Sequence, residues 1–111
     1  MRVLVVNDLV DAAQSLASLL RNCGYETHVC YSGEDALAVA KLKRPDTVLL
    51  DVSTSHAKGY EVARRLRSQS ESPLKIVAVS GHEQPEPNAV FDHYVAKPAR
   101  LNQLCSIIDC T

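Results

Sequence analysis

Three short runs in this chain are apolar at nearly every position: residues 2–6 (RVLVV), 47–50 (TVLL) and 75–80 (KIVAVS). A strand with one wet face alternates apolar and polar residues, so an unbroken apolar run of strand length belongs in a sheet covered on both faces. Helices joining successive parallel strands provide that cover most directly.

The segments between the runs read as those helices. Ala13, Leu16, Ala17 and Leu20 fall at i, i+3, i+4 and i+7, with Gly24 as the stop. Residues 26–31 alternate, with Thr27, Val29 and Tyr31 on one side, and predict a strand nearer the sheet edge. Ser32 and Asp35 form a capping box for a second helix that carries Ala36, Leu37 and Ala40 and ends before Pro45. Val62, Ala63 and Leu66 mark a third helix entered through Gly59, with Arg64, Arg65 and Arg67 on a solvated outer face. Residues 94–96 predict a short fifth strand. Leu101, Leu104, Cys105 and Ile108 predict a closing helix. Right-handed βαβ crossovers then give one α/β domain over residues 1–111.

Composition narrows the function. A net charge of −1 and a pI near 6.4 give no basic surface for nucleic acid and no polybasic run for a membrane. No apolar stretch is long enough to span a bilayer, and the amino-terminal run is too short and too soon acidic for a signal peptide. Cys23, Cys30, Cys105 and Cys110 lack zinc-site spacing and lie in apolar-patterned segments, so buried free thiols and a reducing cytoplasm are expected. His28, His56, His82 and His93 have no metal-ligand spacing either, which leaves them structural or solvated roles.

In open α/β sheets ligands bind beyond the carboxyl ends of the strands. Asn7 and Asp8 follow the first strand here, and Asp51 follows the third. Ser80 closes the fourth, and the fifth runs into Lys97. Two carboxylates at one edge repel and are best tolerated around a hard cation. Magnesium suits them, because it binds one or two carboxylates together with waters and phosphate oxygens. Such a set suits phosphoryl transfer to a carboxylate. An Asp oxygen is the nucleophile, the cation and an ammonium offset charge, and a hydroxyl donates to a phosphoryl oxygen. Taken singly, Asp8 also reads as a helix cap, Lys97 as a solvated lysine, Ser80-Gly81 as a turn and Tyr94 as core packing.

These residues, in this order, resemble the receiver domain of two-component response regulators along nearly the whole chain. "VVNDLVDAAQSLASLL" resembles the opening strand, acid pair and first helix. "RPDTVLLDV" with "GYEVARRLR" resembles the stretch around the phosphoacceptor, and "VAVSG" and "YVAKP" resemble the hydroxyl and lysine segments. The flavour is closest to receivers attached to hybrid sensor kinases. The resemblance implies a flavodoxin-like, doubly wound sheet of five parallel strands in the order 2-1-3-4-5 with helices on both faces. It implies Asp51 as phosphoacceptor, Asp8 as direct metal ligand, Ser53 as backbone-carbonyl ligand and Asn7 acting through a water. Ser80 and Lys97 complete the chemistry, and Ser80 and Tyr94 stand at the switch positions. It further implies Mg2+ as cofactor and a histidine kinase or histidine phosphotransfer protein as phosphodonor. The implied chemistry is self-catalysed phosphoryl transfer with slow autodephosphorylation, a signalling role rather than that of an enzyme.

Three departures from the family pattern stand out. Asn7-Asp8 replaces two acids, and Ser55, Ala57 and Lys58 occupy a loop that usually carries a proline. Ser80 and Lys97 are only 17 positions apart. Pro85 and Pro87 leave little room for a helix between them, so the fourth helix is expected to be shortened or missing. Residues 82–92 should then be a mobile, polar loop, the usual dimer face unformed and the chain a monomer, with partners docking near the first helix and the loops beside Asp51. Asn7 and the shortened segment keep a pseudo-receiver, an interaction module without phosphorylation, as the alternative. An aspartate-based phosphatase would want a second acid two positions after Asp51, where Ser53 stands. A flavodoxin-like cofactor binder fits less well, because the acidic loop after the first strand opposes a phosphate cradle.

Overall fold

The computed structural model describes residues 1–51, 56–80 and 90–109, with the backbone alone at 56–58. Five strands, β1 (Arg2–Val6), β2 (Glu26–Cys30), β3 (Thr47–Asp51), β4 (Lys75–Ser80) and β5 (His93–Ala96), form one parallel sheet in the order β2-β1-β3-β4-β5. The described helices are α1 (Val10–Asn22), α2 (Gly33–Lys43), α3 (His56–Gln69) and α4 (Leu101–Asp109), the last being the predicted closing helix. The expected reduction of a helix after β4 falls on residues 81–89, outside the described residues.

The apolar runs work as the pattern requires. Leu4, Val6, Val48, Leu50, Ile76 and Ala78 enter one core with Ala36, Ala40, Ala63 and Leu66 of α2 and α3. Their alternates Val3, Val5, Leu49, Val77 and Val79 enter a second core with Ala13 and Leu20 of α1 and Leu104 and Ile108 of α4. Each central strand therefore buries both faces, and every alternate residue serves a different core.

Local signals set the helix ends. Gly24, at φ +97°, lets the chain leave α1 through a left-handed residue; its N–H donates to Arg21 O, and Tyr25 N–H donates to Leu20 O. Ser32 Oγ accepts from Asp35 N–H at 3.2 Å and caps α2. Gly33 is required by packing: a Cβ there would lie 2.4 Å from Val62 Cγ2 of α3.

Several expectations need correction. Strand β2 stops at Cys30, and Cys30 is buried in the α2–α3 core while Val29 packs against the other. Helices cover both sides of this edge strand toward its carboxyl end, so its solvent face is limited to Glu26 and part of His28. Helix α3 begins at His56 rather than after Gly59, since the apolar period of Ala63 and Leu66 extends back through a buried Gly59. Arg67 is not on a wet face. Its guanidinium donates to Val90 O (2.8 Å), Leu74 O (2.9 Å) and Asp92 Oδ2 (2.6 Å). Residues 90–92 are accordingly packed, not a free loop: Phe91 is buried, and Asp92 N–H donates to Ile76 O at 2.8 Å. Cys23 is exposed, because it caps α1 at the surface.

Candidate functional site

The register of the sheet aligns the strand ends. Leu50 pairs with Val6, Asp51 with Val79 and Ser80 with Ala96, so the residues that follow β1, β3, β4 and β5 share one edge. Asp51 closes β3, and its carboxylate pairs with Lys97 Nζ. Asp51 is 10% exposed at its side chain and Lys97 33%, so the pair sits at the mouth of the edge. Backbone pairing holds the lysine in place: Lys97 N–H donates to Ser80 O at 2.8 Å, one residue beyond the ladder. Ser80 itself is buried.

Asn7, Asp8 and Asp51 line a common cleft of about 240 Å³ with Tyr31, Ser32, Gly33, Gly59 and Val62. Asn7 is fixed at both ends. Its N–H donates to Cys30 O at 3.1 Å, and its side-chain oxygen accepts from Leu9 N–H at 2.9 Å. That second bond turns the chain into α1, whose own N-cap, Leu9, offers no side-chain cap. Asp8 is exposed. A larger hollow of about 400 Å³ opens at the opposite, amino ends of the strands, around Asp46, Lys75 and His93. Asp46 and Asp92 line it too, but Asp46 accepts from Arg2 N–H at 2.8 Å and Asp92 from Arg67 and Ile76 N–H, and in a parallel sheet the carboxyl edge is where chemistry gathers.

The structure thus brings Asn7, Asp8, Asp51, Ser80 and Lys97 to one edge. Ser53 lies outside the described residues. Tyr94 is half-buried, its ring 5.4 Å from that of Phe91 at 61°, and Phe91 meets Tyr60 in the same edge-to-face manner. Among the described residues no three His, Cys, Asp or Glu side chains gather as a metal cluster. Two carboxylates and an amide are nonetheless a donor set that magnesium accepts, since it keeps most of its waters. Tyr31, Ser32, Gly33 and Val62 line the cleft without being site candidates in the sequence, where Tyr31 reads as strand, Ser32 as a helix cap and Val62 as helix core. The signal for the first two was present, because they follow β2 as Asn7 follows β1. Tyr31 is tied down by Gln14 Nε2, which donates to its hydroxyl oxygen at 3.0 Å.

A five-stranded doubly wound parallel sheet with an Asp–Lys pair and a second carboxylate at its carboxyl edge places the chain among the flavodoxin-like α/β domains. Residues 3–109 match the response regulator receiver domain, and the chain belongs to that family, the receiver domains of two-component systems. Among curated relatives it is 33% identical over 109 residues to "Response regulator MprA" of Mycobacterium avium, covering 94% of this chain and 47% of that protein. It is 32% identical over 106 residues to "Probable transcriptional regulator ycf27" of Cyanophora paradoxa, covering 93% and 44%. The chain therefore spans less than half the length of these relatives.

Among solved structures, a CheY-like receiver domain from Methylobacillus flagellatus superposes with a TM-score of 0.86 at 29% identity, covering 97% of this chain and 95% of that one. The response regulator TrrA of Thermotoga maritima, solved in complex with Mg(2+)-BeF, gives 0.82 at 27% identity, with coverages of 96% and 95%. No described helix is long and apolar enough to cross a membrane.

Proposed function

We propose that this receiver domain accepts a phosphoryl group on Asp51 from the phosphohistidine of a sensor kinase or histidine phosphotransfer protein. The observation that supports this most is the pairing of Asp51 with Lys97 beside a cleft that Asp8 and Asn7 also line. The Asp51 carboxylate supplies the nucleophilic oxygen. Lys97, held at the strand end, offsets charge on the incoming phosphoryl oxygens, and the Ser80 hydroxyl donates to one of them. Asp8 and Asp51 would hold magnesium directly, with the Ser53 carbonyl as a further ligand and Asn7 acting through a water. Bound there, the ion supplies charge neutralisation of the phosphoryl group. Tyr94 and Ser80 are the residues that would register the phosphorylated state.

The phosphodonor would dock where Leu9 (63% exposed) and Val10 (46% exposed) stand at the start of α1, beside the cleft. We further propose a single domain that acts in the cytoplasm as a monomer, without nucleic-acid contact of its own and without enzymatic turnover beyond self-catalysed transfer and slow dephosphorylation. The rival reading, an interaction module without phosphorylation, is favoured by Asn7, which removes one negative charge from the cation's surroundings. Incubation with acetyl phosphate and magnesium, followed by intact mass, separates the two. One base-labile phosphate adduct that Asp51→Asn abolishes supports the receiver reading; an unmodified chain across several small donors supports the other.

A further inference from the structure

The face of the sheet covered by α1 and α4 carries a second pair of reactive groups, unconnected with Asp51. Cys23 caps α1 and is exposed; Cys105 lies within α4 and is partly buried. They are 82 positions apart in sequence, yet their sulfurs stand 3.9 Å apart. The contact is held from both sides. Leu20, Leu104 and Ile108 pack into the core beneath it. Beyond it, the Tyr25 hydroxyl donates to Asp109 Oδ1 at 2.6 Å, tying the chain just after Cys23 to the end of α4. Two thiol sulfurs in contact on anchored backbones need to close by about 2 Å to reach bonding distance.

We propose that Cys23 and Cys105 are a redox modification site, closing to a reversible disulfide under two-electron oxidation by a peroxide. The exposed Cys23 reacts first, as burial pushes the Cys105 thiol up from its ordinary value. The Cys23 thiolate attacks one peroxide oxygen, the O–O bond breaks, and the departing hydroxide takes a proton to become water, leaving Cys23 as sulfenic acid. The Cys105 sulfur then attacks the Cys23 sulfur. The S–O bond breaks, and the second oxygen leaves as water with the Cys105 proton. Two thiols have lost two electrons, and one peroxide has become two waters. A dithiol reductant reverses the change. Cys30 is buried in the opposite core and takes no part. The closed bond staples the end of α1 to α4, which restricts the unfolded chain and raises the melting temperature.

The test uses the full chain and, in parallel, its Cys30→Ala, Cys110→Ser variant, in which Cys23 and Cys105 are the remaining thiols. Both are treated with hydrogen peroxide, then alkylated and weighed intact. The monomer of the double variant should lose both free thiols with a mass decrease of two hydrogens and gain at least about 5 °C in Tm. Dithiothreitol should restore it, and further substitution of Cys23→Ser, an exposed position that leaves the fold intact, should abolish the effect. The same linkage should form in the unsubstituted chain. Thiols that stay free, a bond found only between two chains, over-oxidised Cys23 with Cys105 still alkylated, or a bridge to Cys110 in the unsubstituted chain would each overturn the proposal.

Discussion

Arg67 is the side chain whose removal should reveal most about how the segments entering β4 and β5 are held. It leaves α3 and spends its guanidinium on Leu74 O before β4 and on Val90 O and Asp92 Oδ2 before β5. The arginine is 31% exposed and Asp92 40%, so the ion pair itself is worth under about 1 kcal/mol. The two bonds from a charged donor to carbonyls of half-buried residues count for more, about 1.5 kcal/mol each at the low end of such bonds. Arg67→Met keeps most of the aliphatic stem and removes all three bonds, so the expected loss is about 3 kcal/mol, or roughly 12–24 °C in Tm. Arg67→Lys, with no planar fork to span three acceptors, should recover less than half of it. Urea titration provides the measurement, with an unchanged slope confirming that stability alone has moved. A double-mutant cycle with Asp92→Asn, which keeps an acceptor for Ile76 N–H, isolates the ion pair and should give coupling below about 1 kcal/mol. A loss under about 1 kcal/mol for Arg67→Met, or full stability in Arg67→Lys, would show that Arg67 does not pin these segments.

Three further outcomes follow from single positions. Gly33→Ala gains helix propensity but drives a methyl into Val62, so a net loss of about 1–2 kcal/mol is expected, with Val62→Ala in the same chain partly relieving it; additive losses would refute the clash. Burial pushes the Cys30 thiol up to about 11, so the folded state holds its proton more tightly than the unfolded chain does. The resulting stability is fully present below about pH 9 and is lost as pH rises through about 11. Tyr25 and Cys105, also raised, act in the same sense, so Cys30→Ala should make the alkaline decline in urea stability shallower without abolishing it. Asn7→Asp keeps the acceptor for Leu9 N–H while adding a charge beside the cleft, so magnesium affinity should tighten by about 1 kcal/mol by titration calorimetry; an unchanged value would place residue 7 outside the ion's reach.

The central strands were legible because burial on both faces leaves an unmistakable apolar run, and Gly24 and Ser32 announced their helix ends by backbone chemistry alone. Asp51, Lys97, Ser80, Asn7 and Asp8 were legible as neighbours because a parallel sheet puts all its carboxyl ends on one edge. Arg67 was not, since its helical position says outward while its length lets it reach back to carbonyls 7 and 23 positions along the chain. Phe91 was hidden within a polar, proline-bearing stretch, where one aromatic carries no period. The Cys23–Cys105 contact depends on how α1 and α4 sit on the sheet, which no local pattern records. Gly33 shows the same limit: its capping context was readable, but not the valine that forbids a side chain there.

Trapping the acyl phosphate identifies which aspartate, Asp51 or another, carries the phosphoryl group. The chain would be phosphorylated by acetyl phosphate with magnesium, reduced with borohydride, digested and sequenced by mass spectrometry. Borohydride converts an aspartyl phosphate to homoserine, so the modified position is read without depending on a substituted protein. Homoserine at position 51, and no conversion at Asp8 or elsewhere, is the predicted result. Homoserine at another aspartate, or none after treatment that modifies a known receiver in the same tube, would contradict it.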